Sequence, residues 1–244
     1  MKNKLTVVTI NYNNKLGLAK TLGSISLLKS KHDYFEYVVV DGYSNDGSIE
    51  LIRNSSIIDS YLVERDEGIA DAFNKSVGLV HTEWVIFINS GDLLVSLPTE
   101  SELNNFNSDC IVYRVEFGSK LLGYSFRKSQ LLFRNYFPHQ GMVIRTKMFD
   151  DSHVGLYDKN YKLGMDYHWN LRMVFTQNRQ FSFINKTISR MELGGVSVSN
   201  PIKTFYLYHK ARVQVGVLNK PTSFLYFIVA SVKIKLGQFL RRLF

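Results

Sequence analysis

Short apolar runs alternate with segments of helical period through the N-terminal half of the chain. Residues 5–10, 37–40, 60–63 and 84–88 are apolar, largely β-branched or aromatic, and bounded by polar turns, which predicts strands. Between the first two, Leu16, Ala19, Leu22, Ile25 and Leu28 recur at helical spacing, with Asn13 or Asn14 placed to cap the helix. Ile49, Leu51 and Ile52 mark a short helix beginning near Ser48 with Asp46 as its cap, and Ile69, Ala72, Phe73 and Val77 mark one face of another. Strands alternating with helices imply an α/β fold built on a mostly parallel sheet with right-handed crossovers.

Past Leu93 the pattern is less regular: strands are predicted over 110–115 and 181–184, and a helix over 167–175. Pro201 and Pro221 bracket a further helix carrying Phe205, Tyr208 and Val213, expected to cross over the body of the protein. Over 224–244 a helical projection puts Leu225, Ile228, Val229, Val232, Leu236, Phe239, Leu240 and Leu243 on one side. Lys233, Lys235, Gln238, Arg241 and Arg242 fall on the other. The apolar stretch before Lys233 is short of the ~20 residues a spanning helix needs, so an amphipathic helix lying in a membrane interface is expected.

Charge strengthens that expectation. The chain of 244 residues has a net charge of +9, and eight Lys or Arg with no Asp or Glu lie between Leu193 and Phe244, leaving the rest near neutral. These cations accompany apolar and aromatic residues, which fits an anionic lipid surface and not nucleic acid. A single cysteine, Cys110, excludes an internal disulfide. The first apolar run is too short for a secretory signal, so a cytoplasmic protein, peripheral on the inner face of the membrane, is expected.

Three polar turns follow predicted strands: Thr9-Ile-Asn-Tyr-Asn13, Asp41-Gly-Tyr-Ser-Asn-Asp46 and Asn89-Ser-Gly-Asp92. In a parallel sheet they share one edge, where open α/β sheets bind ligands. None matches the phosphate loop of nucleoside triphosphatases or the dinucleotide fingerprint. Phosphate charge would then be met by a metal on Asp92 and by a cation such as Lys75. His/Cys spacing for structural zinc is absent.

In order along the chain stand Val-Val-Thr-Ile-Asn-Tyr-Asn13, Val-Val-Val-Asp-Gly-Tyr-Ser-Asn-Asp-Gly-Ser48, Asp-Glu-Gly-Ile-Ala-Asp-Ala-Phe-Asn-Lys75 and Phe-Ile-Asn-Ser-Gly-Asp92. This order resembles family 2 glycosyltransferases of GT-A fold. His139-Gln-Gly141, Gly164-Met-Asp-Tyr167 and Gly194-Gly-Val-Ser197 resemble the bacterial branch that builds O-antigen and other surface polysaccharides. The similarity spans about residues 3 to 200, with a nucleotide-sugar half to about 95, an acceptor half from 96, and a basic helical extension over 201–244 outside it.

The resemblance implies an inverting transfer from a UDP-sugar, of glucose or galactose type, to a polyprenyl-diphosphate-linked oligosaccharide, with Mg²⁺ or Mn²⁺ as cofactor. By position Asp166 matches the catalytic base, with Asp158 as second candidate, and Asp92 the metal carboxylate. Asp41 matches the residue that reads the nucleotide base, with Thr9 and Asn11 beneath base or ribose. Asp71, Asn74, Lys75 and Ser90 are expected on the donor side, within a segment that also holds Asp66 and Gly68. His139 and Gln140 are expected on the acceptor side, and Gly194-Gly195 suggests a loop closing over the diphosphate. The metal motif departs from its commoner pattern, because Ser90 and Gly91 stand where acids are usual. That departure keeps two rivals open: a membrane-docked sugar-nucleotide-binding protein with impaired catalysis, and a sugar-nucleotide pyrophosphorylase.

Overall fold

The computed structural model describes residues 4–150, 152–193 and 200–243. The predicted alternation is present: β1 (Leu5–Asn11), α1 (Lys15–Lys29), β2 (Phe35–Asp41), α2 (Ser48–Arg53), β3 (Ser60–Val63), α3 (Ile69–Val77) and β4 (Trp84–Phe87). The second half adds β5 (Leu93–Leu94), α4 (Glu100–Asn105), β6 (Cys110–Phe117), β7 (Lys120–Leu122), β8 (Met142–Arg145), α5 (Met165–Leu171) and β9 (Phe181–Met191). Two helices, α6 (Pro201–Gln214) and α7 (Lys220–Leu243), complete the described chain.

One mixed sheet runs through both halves in the order β3-β2-β1-β4-β8-β6-β9-β5, with β7 paired to β6. β1 to β4 are parallel, as is the β6–β9 pair. β8 is antiparallel to both β4 and β6. Successive side chains of a strand face opposite layers, so a strand covered on both sides reads as an unbroken apolar run. Val8, Val38, Val85 and Phe87 accordingly pack with Phe73, Tyr157 and Trp169, whereas Val7, Tyr37, Val39 and Ile86 pack with Leu18, Leu22 and Ile25.

Asn14 caps α1, its side chain accepting from Gly17 N–H at 3.1 Å. Asp46 accepts from Ser48 N–H at the start of α2 and from Lys15 N–H, so it holds two helix starts together. Of the predicted apolar face of α3, Ala72 and Phe73 are buried, joined by Ala70 and Ser76, while Ile69 at the first position is 38% exposed. The helix predicted over 167–175 starts earlier, at Met165, and becomes a π-helical turn over Arg172–Thr176.

α6 crosses α5, with the Tyr208 ring lying 3.9 Å from that of Tyr167. Arg212 of α6 is completely buried. It donates to Leu132 O and Ser223 Oγ at 2.9 Å each and to Ser223 O at 3.3 Å, joining α6, α7 and the body. Arg212→Met keeps the apolar stem but strands these acceptors, at a cost of about 3 kcal/mol. The melting temperature should fall by roughly 8 °C; a melt within 2 °C or so of wild type would show that water satisfies them instead.

Candidate active site

The parallel strands carry their C-terminal turns to one edge, as the order of elements dictates. Asn11 and Asp41 are register partners at the ends of β1 and β2. Asn11 Nδ2 donates to Asp41 Oδ2 at 2.7 Å, and Ser44 donates through its N–H to Oδ1 at 2.7 Å and its hydroxyl to Oδ2 at 2.8 Å. Asn13 Oδ1 accepts from Asn45 N–H at 2.9 Å, so the first two turns are knitted together. Asp41 is completely buried, and its carboxylate shapes the turn. Thr9, expected beneath base or ribose, lies inside the core, where its hydroxyl accepts from Tyr37 Oη at 3.0 Å.

On α3 the polar face is engaged within the protein. Asn74 makes a two-way clasp with the Tyr157 backbone, donating to its carbonyl at 2.8 Å and accepting from its N–H at 2.9 Å. Lys75 Nζ donates to Arg65 O at 2.6 Å and pairs with Glu64 at 2.7 Å and Asp71 at 3.4 Å. Burial alone would raise the Asp71 carboxyl. The Glu67 N–H, Lys159 and Lys75 outweigh that and hold it below its ordinary value. Asp66 leans over Gly42, where any side chain would strike its carboxylate, and accepts from Gly68 N–H at 2.9 Å.

The third turn is pinned by α1. Thr21 Oγ1 accepts from Gly91 N–H at 3.0 Å and donates to Asp92 O at 2.8 Å. Ser90 Oγ donates to Asn14 O at 3.2 Å. Asp92 itself is buried, and both carboxylate oxygens are held: Gln140 Nε2 donates to Oδ2 and the Glu192 N–H to Oδ1, each at 2.8 Å. Burial pushes the Asp92 carboxyl up to about 6; those two donors draw it down, and the Glu192 charge adds to the rise. Gln140, expected on the acceptor side, lines the cleft and holds the Asp92 carboxylate.

Across the cleft, Asp166 occupies the first turn of α5 behind Gly164, which adopts φ +69 to turn the chain into the helix. Asn135 Nδ2 donates to Asp166 Oδ2 at 2.7 Å, and Asn135 Oδ1 accepts from Phe137 N–H and Asn170 Nδ2. Burial raises the Asp166 carboxyl, opposed by the N–H groups of Tyr167 and Asp166 and by Asn135. His139 stacks 5.2 Å from Phe87 and bonds through Nε2 to Tyr157 Oη at 2.9 Å. Burial draws its imidazole down to about 4, so it is neutral at pH 7.

Asn89, Ser90, Asp92, His139, Gln140 and Asp166 all line one cleft of about 760 Å³. Asp41, Asp71, Asn74 and Lys75 do not line it, nor does Asp158, which bonds Asn160 and Gln214. His168 stacks on Tyr161, and His209 bonds Ser223. The expected Gly194-Gly195 loop lies outside the described residues. No cluster of three His, Cys, Asp or Glu suited to a metal occurs among the described residues. The turn nevertheless fits a hard cation: Asp92 is ionisable, and beside it Asn89 Oδ1 is buried without a hydrogen-bond partner. Asn135 and Glu192 escaped sequence reasoning, because each acts through a partner 31 or 100 positions away.

Residues 6–96 match the model of Glycosyl transferase family 2. A PGL/p-HBAD biosynthesis glycosyltransferase of Mycobacterium bovis (strain BCG / Pasteur 1173P2) is 25% identical over 195 residues, covering 75% of each chain. The structure of S. aureus TarS 1–349 in complex with UDP superposes with a TM-score of 0.63 at 17% identity, covering 92% of this chain and 69% of that one. Against a longer TarS chain the coverage is 41% of its length. Mannosyltransferase PcManGT from Pyrobaculum calidifontis, in complex with GDP-Man and Mn²⁺, gives a TM-score of 0.58 at 14% identity, covering 97% and 76%. Residues 6–96 thus resemble family 2 glycosyltransferases, and the fold is GT-A-like, a mixed, mostly parallel, curled sheet followed by C-terminal helices.

Proposed function

We propose that this protein transfers a hexose or hexose derivative from a UDP-sugar, with inversion, to a polyprenyl-diphosphate-linked oligosaccharide in bacterial surface-polysaccharide synthesis. The observation that carries the reading is the placement of Asp92 and Asp166 in one cleft, one at the strand-end turn and one at a helix start. In the transfer, the acceptor hydroxyl oxygen bonds the anomeric carbon while the bond from that carbon to the diphosphate oxygen breaks. Asp166 takes the hydroxyl proton, and no covalent sugar–enzyme intermediate is required. Asp92 would hold a Mg²⁺ or Mn²⁺ ion, which when bound would supply charge stabilisation to the departing diphosphate. The turns around Asn11, Asp41 and Ser44 form the floor for the base, with Asp41 acting through the turn it braces. Ser90, Asp71, Asn74 and Lys75 belong to the donor side, the last three by fixing the loops that border it. His139 offers a neutral, rigid wall to the acceptor.

The UDP complex of TarS supports the donor class, and the Mn²⁺ complex of PcManGT supports the cofactor. Screening the purified protein against UDP-, GDP- and dTDP-sugars with polyprenyl-diphosphate-linked acceptors tests the reading directly. Nucleoside diphosphate release coupled to product of inverted anomeric configuration is expected with a UDP-sugar. Donor binding without turnover on any acceptor would favour the binding-protein rival, and pyrophosphate release from a sugar phosphate and UTP would favour the pyrophosphorylase.

Membrane docking through α7 belongs to the same proposal. Leu225, Ile228, Val229, Val232 and Leu236 are each 41–58% exposed and follow one helical stripe, flanked by the exposed Lys233 and Lys235. None of the described helices is long and apolar enough to cross a membrane. The helix would lie in the interface with its cations towards anionic headgroups, bringing the cleft to a lipid-linked acceptor. Deleting α7 would also remove Ser223 from Arg212, so charge insertion is the cleaner variant. Val229→Asp with Val232→Asp should weaken co-sedimentation with phosphatidylglycerol vesicles by about tenfold or more; unchanged partitioning would refute the docking role.

A further inference from the structure

The turn at 89–92 contains one carboxylate, but a second reaches it from the far end of the chain. Glu192 directly follows β9, and its N–H donates to Asp92 Oδ1 at 2.8 Å, so its side chain starts beside that carboxylate. From there it folds over Gly91. A Cβ at position 91 would lie 2.5 Å from Glu192 Oε2, and Gly91 adopts φ +103, which side chains rarely accept. Asp92, Glu192 and Asn89 all line the cleft, and the side-chain Oδ1 of Asn89 is a buried acceptor without a partner.

This is a set of oxygen ligands with two adjacent negative charges. The counter-charge on Glu192 is Lys20, 2.9 Å from Oε1, with both side chains about half exposed. An exposed Lys–Glu pair contributes little by itself, and it gives no reason for the carboxylate to sit over a glycine beside Asp92. A small divalent cation does give one. It favours hard oxygens, tolerates a carboxylate pair that would otherwise repel, and fills its remaining positions with diphosphate oxygens and water.

We propose that Glu192 is a second carboxylate ligand of the divalent-cation site, sharing the ion with Asp92 and the Asn89 amide oxygen. The acid missing at positions 90 and 91 is thus supplied from the end of β9, and glycine at 91 is what leaves it room. The proposal rests on reading the cleft as a metal-assisted sugar-transfer site. It assigns Lys20 a definite part: its ammonium occupies Glu192 when the ion is absent and competes with the ion for it.

The test is titration of Mn²⁺ into the full chain with saturating UDP, followed by electron paramagnetic resonance of the free ion. Glu192→Gln should raise the Mn²⁺ dissociation constant at least tenfold, and Lys20→Met should lower it by about threefold as the competing cation goes. A purely structural ion pair predicts similar small losses of melting temperature in both variants and no change in Mn²⁺ affinity; that result overturns the proposal. If Glu192→Gln fails to fold, Lys20→Met decides alone, and an unchanged dissociation constant there overturns it. Wild-type protein that transfers sugar fully in EDTA and binds no Mn²⁺ would remove the metal site and Glu192 with it, leaving the transferase reading intact. Wild-type protein that binds Mn²⁺ with UDP yet turns over no donor would remove the transferase reading, and the Glu192→Gln titration would still judge the ligand.

Discussion

Asp166→Asn should lower turnover by about 10³-fold while leaving UDP-sugar affinity within about twofold, because it removes the proton acceptor and little of the shape. Asparagine retains an oxygen to accept from Asn135 Nδ2, so the side chain keeps its place at the start of α5. Single-turnover rates and calorimetric UDP-sugar binding on the same preparation separate the two effects. Normal turnover would remove Asp166 from the mechanism.

The pH profile supplies a second readout for the same residue. Burial raises the Asp166 carboxyl, so the acid limb of kcat/KM should lie above the ordinary carboxylate range, with a slope of one. Asn135 is among the groups that draw that value down. Asn135→Ala should therefore move the limb to still higher pH and leave the alkaline side unchanged. A limb that stays in place would show that Asn135 does not set the protonation of the base.

The second large effect is two-sided. Asp92→Asn should cut metal-stimulated transfer by roughly 100-fold, since the ion would lose an anionic ligand where leaving-group charge develops. The same substitution should stabilise the protein at pH 7 in EDTA. Burial holds the folded Asp92 carboxyl at about 6, above its ordinary value of 3.8. Stability from its proton is fully present below the unfolded value and is lost as pH rises through the folded one. Between about pH 4 and 6 the wild type should lose on the order of 2–3 kcal/mol on this account. Asparagine at 92 should flatten that slope, with one hydrogen bond from Gln140 or Glu192 forfeited in exchange. Denaturant unfolding at pH 4, 5, 6 and 7 measures the difference; parallel curves would show that Asp92 titrates in its ordinary range. A residue that destabilises the fold yet lines the cleft is the expected signature of a functional carboxylate.

Much of the layered architecture was legible along the chain. The unbroken runs in β1, β2 and β4 could only be strands covered on both faces, and their alternation with α1 and α3 left a parallel sheet as the economical topology. Asp92 and Asp166 were nameable because each sits at a local boundary, a strand end and a helix start, that short motifs mark. The stripe on α7 was likewise local, since helical period alone puts Leu225, Ile228, Val229, Val232 and Leu236 together.

Other roles depend on what meets a side chain from elsewhere in the chain, which no window of sequence contains. Thr9 and Asp41 carry donor-type motifs, yet neighbouring strands and turns enclose both. Asn74 and Lys75 face as helical spacing says, but they are claimed by Tyr157, Glu64 and Arg65. Gln140 turns to Asp92, and Glu192 arrives over Gly91 from β9. By itself the sequence determined the strand–helix alternation of the first half, the sheet edge where its polar turns meet and the two carboxylates proposed to act there. Tertiary structure alone decided which polar groups remain free to act, because hydrogen-bond partners and burial come from residues distant in sequence that the fold brings within 3 Å or so of one another.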